Sequence, residues 1–410
     1  MTSPKIAILN SIAQTGGAEM SLIELLRRSK ENFEFHLILP EDGPLRRKAE
    51  EVGVTVWKIP WDKKITQLGE MNKKINLLKI LQTTALIYPL ARKVSRLLHD
   101  IKAQILITNG IKSHIIGAIS HKRYPIPLIW YLRDGLEGRR ISTKALGFYS
   151  SRASAAIVIS HFLSKEARQL LSKSIPIHVL YNIVDLEKFQ PGLSHPPDLV
   201  KGDGEIWFGM VGALTPLKGQ DIFLRAADRV LNFIPNARFL IIGGNFYKTE
   251  TSHNYEKDLK LQVQNSPLKD RVMFLGFRDD IPAVLSTLDV LIQPNRGPEG
   301  LGRSVLEAMA CGVPVIAVNR WGPAELIQDK KTGILFPWMN VEALSEKMIL
   351  LGNENSIRKK LGEEARKWVH ENLIPEETAH QFTDILKSAL RKGSMDFSNH
   401  PVGKNISYPK

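Results

Sequence analysis

The sequence predicts an α/β protein built as two doubly wound domains, and three observations carry that reading. Short apolar segments alternate with amphipathic helical stretches along the whole chain, the pattern of parallel sheets covered on both faces. The 410 residues exceed the roughly 250–300 that one hydrophobic core supports. A stretch at residues 186–205, with Pro191, Pro196, Pro197 and several glycines, interrupts the series midway and reads as a linker. Hydrophobic content of 43% and charged content of 24% are those of an ordinary globular protein.

In the first half, Lys5 to Leu9 is a short apolar strand, followed by a helix from Ala18 to Arg28 with Leu22, Leu25 and Leu26 on one side. Strands continue at Glu34 to Leu39, Thr55 to Ile59, Ile105 to Thr108, Leu128 to Leu132, Ala156 to Ile159 and His178 to Leu180. Between them, Lys73 to Lys102 reads as two basic amphipathic helices separated near Pro89, because proline breaks a helix interior. Their apolar faces suit either packing on the sheet or docking on an anionic membrane surface. The second half repeats the alternation, with strands at Ile206 to Val211, Arg238 to Ile242, Val272 to Leu275, Val290 to Gln293, Val313 to Val318 and Gly333 to Phe336. The expected division is 1–190, 191–374, a helix over 375–392 and a polar, disordered tail over 393–410.

Charge and cysteine usage bound the function. Residues 1–190 carry a net charge of +13 and the remainder +1, so the first half attracts anionic partners. The single cysteine, Cys311, leaves no internal disulfide and fits a reducing compartment. It lies in the apolar run Ala-Met-Ala-Cys and reads as a packing residue. No apolar run is long enough for a signal peptide or a membrane span, so a cytoplasmic protein is expected, with the inner face of the membrane as its candidate docking surface.

The most informative segment runs from Gln293 to Ile316. It places Glu299 in a Gly-rich loop, Glu307 on the helix that follows and an apolar strand behind them. In a straight helix the offset between the two acids spans about 12 Å, wider than the roughly 5–9.5 Å of a glycosidase pair. The carboxylates therefore suit two ends of one elongated ligand. Gly300, Gly302 and the helix start near Arg303 offer backbone N–H groups to a phosphate. Taken alone, the segment also fits a plain loop with surface acids. Lys218 and Gly219, just past the strand ending at Val211, place a cation beside a helix start, although an exposed loop lysine has the same look. Their spacing is not a Walker A loop, and no G-x-G-x-x-G occurs.

These residues resemble a known family. Glu299-Gly-Leu-Gly followed by Leu306-Glu307-Ala-Met-Ala-Cys-Gly-Val-Pro-Val-Ile is similar to the E-x7-E signature of retaining, GT-B-fold glycosyltransferases of family 4. Four further matches fall in order: Gly16-Gly17-Ala18-Glu19, Asn182-Ile-Val-Asp185, Val211-Gly-Ala-Leu-Thr-Pro-Leu-Lys218-Gly219 and Phe274-Leu-Gly-Phe-Arg278. The resemblance implies two Rossmann-like domains facing a cleft, with the last helix crossing back onto the first. It implies transfer of a hexosyl group from a nucleoside diphosphate sugar, a UDP-sugar favoured over a GDP-sugar, to a hydroxyl of a saccharide or lipid-linked acceptor. No cofactor or metal and no nucleic acid are expected.

By the same resemblance, Glu307 accepts from the ribose hydroxyls and Glu299 faces the donor sugar, with the amides of Gly300, Leu301 and Gly302 beside it. Lys218 and Arg303 hold the diphosphate. Gly243 and Gly244 lead into a loop near the nucleotide, Phe277 and Arg278 rim the base, and Gly16 and Gly17 let the backbone approach phosphates. Glu19 reads as a first-turn helix acid. Two departures stand out. Ala213 occupies a position where many members carry arginine, which leaves Arg303 as the replacement cation. Arg133-Asp134 stands where many have histidine before aspartate. An arginine cannot act as a base, so Arg133 is expected to grip an anionic acceptor or donor phosphate, or else to pair with Asp134 or Glu137. Two other readings remain open: a nucleotide-sugar epimerase of similar fold, told apart by its products, and a non-catalytic protein binding anionic surfaces.

Overall fold

The computed structural model describes residues 3–66, 77–137, 140–245 and 250–391. They form two compact units. One runs to Ile183 and includes the helix Pro375–Arg391, and the other is Val184–Ile374.

The described residues of the first unit contain seven strands: β1 (Lys5–Asn10), β2 (Glu34–Leu39), β3 (Thr55–Lys58), β4 (Ile105–Asn109), β5 (Leu128–Leu132), β6 (Ala155–Val158) and β7 (Ile177–Val179). All pair in parallel, in the order β3-β2-β1-β4-β5-β6-β7. The second unit holds β8 (Ile206–Val211), β9 (Ala237–Ile242), β10 (Val272–Gly276), β11 (Val290–Gln293), β12 (Val315–Val318) and β13 (Ile334–Phe336), parallel in the order β10-β9-β8-β11-β12-β13. In each sheet the strand order reverses once, between β1 and β4 and between β8 and β11. Loops diverge at such a point and leave a crevice at the carboxyl ends of the strands.

The strands are apolar on both faces because helices cover both. Ile6, Ala7, Ile8 and Leu9 of β1 are wholly buried, as are Phe208, Phe239 and Leu291 in the second sheet. Register follows from these runs: Ile6 lies opposite Phe35 on one side and Ile105 on the other, and Phe208 lies opposite Phe239 and Val290. The last helix, Pro375–Arg391, buries Ala379, Phe382, Ile385, Leu386 and Ala389, one helical stripe, against the helix Gly17–Ser29. Arg28 pairs with Glu376 at its start. The chain thus returns to the first unit, the crossing expected of a GT-B fold.

Three expectations need correction. A single helix, Leu77–Asp100, runs through Pro89 where two were expected. Pro89 and Ala85, four residues before it, are both exposed, so the carbonyl that loses its partner faces water and the break is tolerated. Its buried stripe is Leu90, Ala91, Val94 and Leu98, while Arg92 and Lys93 are exposed. Lys73 and Lys74 lie outside the described residues, as does the tail 392–410. The supposed linker 186–205 is tied into the second unit: Phe189 and Leu199 are buried, and Lys201 pairs with Asp289 at 2.5 Å. Finally, β12 begins at Val315, not Val313, because Pro314 has no N–H for a ladder bond. Cys311 is buried, its thiol pushed up to about 12 by desolvation, the signature of an inert packing residue.

Candidate active site

The second sheet assembles the motif at its switch point. Lys218 ends a short turn, Pro216–Lys218, after β8, and Gly219 follows with φ +81°. Glycine is required there, since a Cβ would lie 2.3 Å from the Pro294 carbonyl oxygen. Next to it, the amides of Arg296 and Gly297 donate to the Leu217 carbonyl at 2.9 and 3.1 Å. The loops after β8 and β11 are thereby zipped together, and Lys218 reaches the Glu299 carboxylate. Its stem passes over Gly212 at the end of β8.

Glu299 is held in turn by a buried relay. Its Oε2 accepts from Asn295 Nδ2 at 3.2 Å. Asn295 Oδ1 accepts from Gln293 Nε2 at 2.6 Å, and Gln293 Oε1 accepts from Ser304 Oγ at 3.0 Å. Gln293 and Asn295 are 1% and 2% exposed, so each bond is made in a low-dielectric interior where geometry is enforced. Sequence reasoning missed all three residues. The available signal was a glutamine closing an otherwise apolar strand, Val-Leu-Ile-Gln, immediately before the Gly-rich loop.

Gly302, at φ +94°, turns the chain into the helix Arg303–Ala310. One turn on, Glu307 forms an ion pair with Arg303, Nε to Oε1 2.7 Å. Burial pushes the Glu307 carboxyl up, while Arg303 and Lys188 pull it back. Glu299 and Glu307 thus sit in separate ion pairs, each with its own cation. Arg303 is engaged with Glu307 on its Nε side and is not a free counter-cation. The segment Gly300 to Gly302 is pinned by the loop after β12: the Gly322 amide donates to the Glu299 carbonyl at 3.0 Å, and a Cβ on Gly322 would fall 2.3 Å from Leu301 Cα. The Leu301 side chain is buried, which leaves only its backbone to meet a ligand. Beside this loop Arg320 stacks between Trp321 and Trp338, at 4.9 and 4.6 Å from the ring centroids, a cluster sequence reasoning also missed.

The other expected residues line the neighbouring strand ends. Gly243, at φ +130°, packs so tightly on Gly212 that a Cβ would meet its carbonyl oxygen at 2.0 Å, and Gly244 lies against the Phe277 amide. The loop beyond continues at residues 246–249, outside the described residues. Phe277 is 57% exposed and offers an open ring. Arg278 does not share that freedom. It gives Nε and Nη2 to Asp280 at 2.8 and 2.6 Å and Nη1 to Asp198 at 2.5 Å, so the rim expected of both residues reduces to Phe277.

In the first unit, Gly16 caps the helix Gly17–Ser29, and its amide donates to Glu19 Oε2 at 3.2 Å. Glu19 is a buried capping acid whose carboxyl is raised by desolvation. Arg133, just past β5, is 7% exposed. It lies over the Tyr131 ring at 3.9 Å and donates from Nη1 to the Ala18 carbonyl. Among the described residues neither Asp134 nor Glu137 bonds its Nε or Nη2, and its charge bears instead on the Tyr131 hydroxyl and the Glu19 carboxylate. Among the described residues no cluster of His, Cys, Asp and Glu could hold a metal ion, and no helix is long and apolar enough to cross a membrane.

Comparison with known proteins agrees with this architecture. A family model described as Glycosyltransferase Family 4 matches residues 15–188, and one described as Glycosyl transferases group 1 matches residues 194–368. An Escherichia coli UDP-Gal:alpha-D-GlcNAc-diphosphoundecaprenol alpha-1,3-galactosyltransferase is 26% identical over 356 residues, covering 82% of this chain and 84% of its own. A GDP-mannose-dependent monoacylated phosphatidylinositol monomannoside mannosyltransferase of Corynebacterium glutamicum is 28% identical over 271 residues, covering 62% and 67%. Among solved structures, Anabaena HepE in complex with UDP-glucose superposes with a TM-score of 0.78 at 23% identity over 94% of this chain and 99% of its own. Sucrose-phosphate synthase of Thermosynechococcus elongatus gives 0.76 at 18% identity over 95% and 99%. The chain belongs to the GT-B glycosyltransferases of family 4, the group 1 glycosyl transferases, and is a hexosyltransferase.

Proposed function

We propose that the protein moves a hexosyl group, with retention and without a metal, from a nucleoside diphosphate sugar to a hydroxyl of a saccharide or lipid-linked acceptor. The observation that carries this reading is the pair of cation–carboxylate units, Lys218–Glu299 and Arg303–Glu307, at the carboxyl end of the second sheet. Glu307 meets the ribose hydroxyls, and Phe277 supplies a face for the base. Glu299 and the Gly300–Gly302 amides face the sugar.

As the glycosyl–phosphate bond breaks, negative charge builds on the departing diphosphate. Lys218 leaves Glu299 to meet it, and the charge of the Arg303–Glu307 pair lies beside it. Preorganised cations of this kind contribute several kcal/mol at a developing charge. The diphosphate oxygen is the base that takes the acceptor proton, which keeps the acceptor on the face the leaving group vacates and retains configuration. The names of the relatives support a UDP-sugar or GDP-sugar donor and an acceptor on a lipid carrier. Work at the cytoplasmic face of a membrane follows from such an acceptor and from the +13 charge of the first half.

The test is thermal shift against UDP, GDP, ADP and their hexose conjugates, for wild type and Glu307→Ala. A ligand of the native state raises Tm. A shift with one nucleotide that disappears in the variant is expected; no shift with any of them defeats the reading. Turnover that survives EDTA is expected as well, and loss restored by Mg²⁺ would overturn metal independence.

A further inference from the structure

We propose that Trp338, held by Arg320 and Trp321, is a stacking plate for a hexose ring of the acceptor, an inference that rests on the glycosyl-transfer reading above. Three consecutive exposed residues, Pro337, Trp338 and Met339, follow β13. The Trp338 ring is 44% exposed, yet it is not loose. Its Nε1 donates to the Arg296 carbonyl at 3.1 Å, Arg320 lies against it, and Trp321 meets it edge-on with ring centroids 6.1 Å apart. Packing gives no reason to leave a large apolar ring in water at a fixed angle. A preorganised binding surface does.

The backbone is bent to build this plate. Trp321 has φ +59° and Met339 φ +61°, a conformation costly for large side chains and kept where neighbours enforce it. At Trp321 the enforcement lies one residue on: a Cβ on Gly322 would fall 2.3 Å from Leu301 Cα, and the Gly322 amide donates to the Glu299 carbonyl. The plate is thus tied to the Gly-rich loop at two points, through Trp338 at Arg296 and through Gly322 at Glu299.

Strand order assigns the ligand. The sheet runs β10-β9-β8-β11-β12-β13. Phe277 follows β10, Lys218 follows β8, Glu299 follows β11, Arg320 and Trp321 follow β12, and Trp338 follows β13. In the reading above, the base, diphosphate and donor sugar occupy the line from Phe277 to Glu299. β13 lies two strand spacings, about 10 Å, beyond β11. The next group along that line is the one that receives the sugar. A pyranose has a face of C–H groups and a rim of hydroxyls, so an aromatic ring takes the face while polar side chains take the rim. Asn319, exposed and bonded through its amide to the Phe336 carbonyl at the end of β13, is placed for that rim. A loop that dips into lipid needs free apolar side chains, whereas here the indole N–H is already bonded and a guanidinium is packed on the ring.

The experiment is saturation-transfer NMR of the methyl α-glycosides of glucose, galactose, mannose and N-acetylglucosamine with the full-length protein, its donor site first saturated with whichever nucleoside diphosphate binds. Wild type is compared with Trp338→Ala and Trp338→Phe. At least one glycoside is expected to bind wild type. Trp338→Ala weakens it about tenfold or more, and Trp338→Phe, which keeps a flat ring without the Nε1 donor, by less than about threefold. Affinity for the nucleoside diphosphate and for its hexose conjugate stays within about twofold in both. Should Trp338→Ala not fold, Trp338→Leu, which has bulk without a flat face, carries the same readout. No transfer to any glycoside, or equal affinity in Trp338→Ala, overturns the subsite. Equal loss in Trp338→Phe and Trp338→Ala means that the ring acts through Arg296 and overturns stacking. Weaker binding of the conjugate but not of the bare diphosphate in Trp338→Ala moves the plate to the donor sugar and overturns the assignment to the acceptor. Vesicles of equimolar phosphatidylglycerol and phosphatidylcholine that bind wild type but not Trp338→Ala overturn the choice of a saccharide. Failure of wild type to bind any nucleotide would instead strike the function proposed above, and the glycoside titration run without nucleotide still decides the plate.

Discussion

Asn295→Asp isolates the relay behind Glu299 with little change in shape. The side chain is 2% exposed and donates from Nδ2 to Glu299 Oε2 at 3.2 Å, while Oδ1 accepts from Gln293. Aspartate keeps the acceptor for Gln293 but sets an anionic oxygen against Glu299. A hydrogen bond to a charged group, worth about 1.5–3 kcal/mol, is lost. At 3.2 Å and an effective dielectric of about 20, two like charges add a repulsion of about 5 kcal/mol. Lys218 is bonded to Glu299 and attracts the new carboxylate too, so much of that repulsion is offset. A net loss of about 3 kcal/mol corresponds to a fall in Tm of roughly 6–12 °C for a unit of this size. Calorimetry of both proteins in one buffer measures it, and donor kcat/KM is expected to drop about tenfold or more as Glu299 and Lys218 lose alignment. A variant melting within about 2 °C of wild type with unchanged kcat/KM would mean that the relay neither stabilises the loop nor orients the carboxylate.

Further outcomes follow from the same geometry. Gly219→Ala puts a Cβ 2.3 Å from the Pro294 carbonyl at φ +81°; a loss of roughly 2–4 kcal/mol is expected from the left-handed strain and overpacking together, read as a lower urea midpoint, and an unchanged midpoint contradicts the zipped loops. Phe277→Ala is expected to weaken nucleotide binding about tenfold, the scale of one base stacked on an aromatic ring, whereas Arg278→Ala, which removes a guanidinium already used by Asp198 and Asp280, leaves nucleotide affinity unchanged; the reverse ranking would return Arg278 to the rim. Burial raises the Glu307 carboxyl, so the folded chain keeps that proton to higher pH than the unfolded chain and loses stability as pH rises from about 4 through the raised native value. Glu307→Gln removes this slope, and melting curves of variant and wild type that run parallel between acid and neutral pH would refute it.

What the sequence by itself determined is whatever depends on short stretches of chain. The apolar runs at Lys5 to Leu9 and Ile206 to Val211 name strands, because residues buried on both faces must all be apolar. The leucines at 22, 25 and 26 name a helix, and the glycines at 219, 243 and 302 stand where φ is positive or backbone meets backbone. The spacing of Glu299 and Glu307 was legible for the same reason, since a loop followed by one helix turn is a local shape, whereas the meeting of Lys218 with Glu299, 81 residues on, was not.

Only the tertiary structure decided which side chains are spoken for. Arg278 and Arg133 are the same residue type, each just past a strand, yet one is consumed by Asp198 and Asp280 and the other lies buried on the Tyr131 ring and the Ala18 carbonyl. Asp198 lies 80 residues from Arg278 and Ala18 lies 115 from Arg133, so no window of sequence contains the pairing. The passage of a helix through Pro89 depends on its tertiary setting too, and the Ser304–Gln293–Asn295 relay, although its members lie within 11 residues, depends on how the loop after β11 folds back on the next helix. Periodicity states which face of an element is apolar; the order of strands in the sheet states what that face and its loops will meet, and polar partners are chosen by the second.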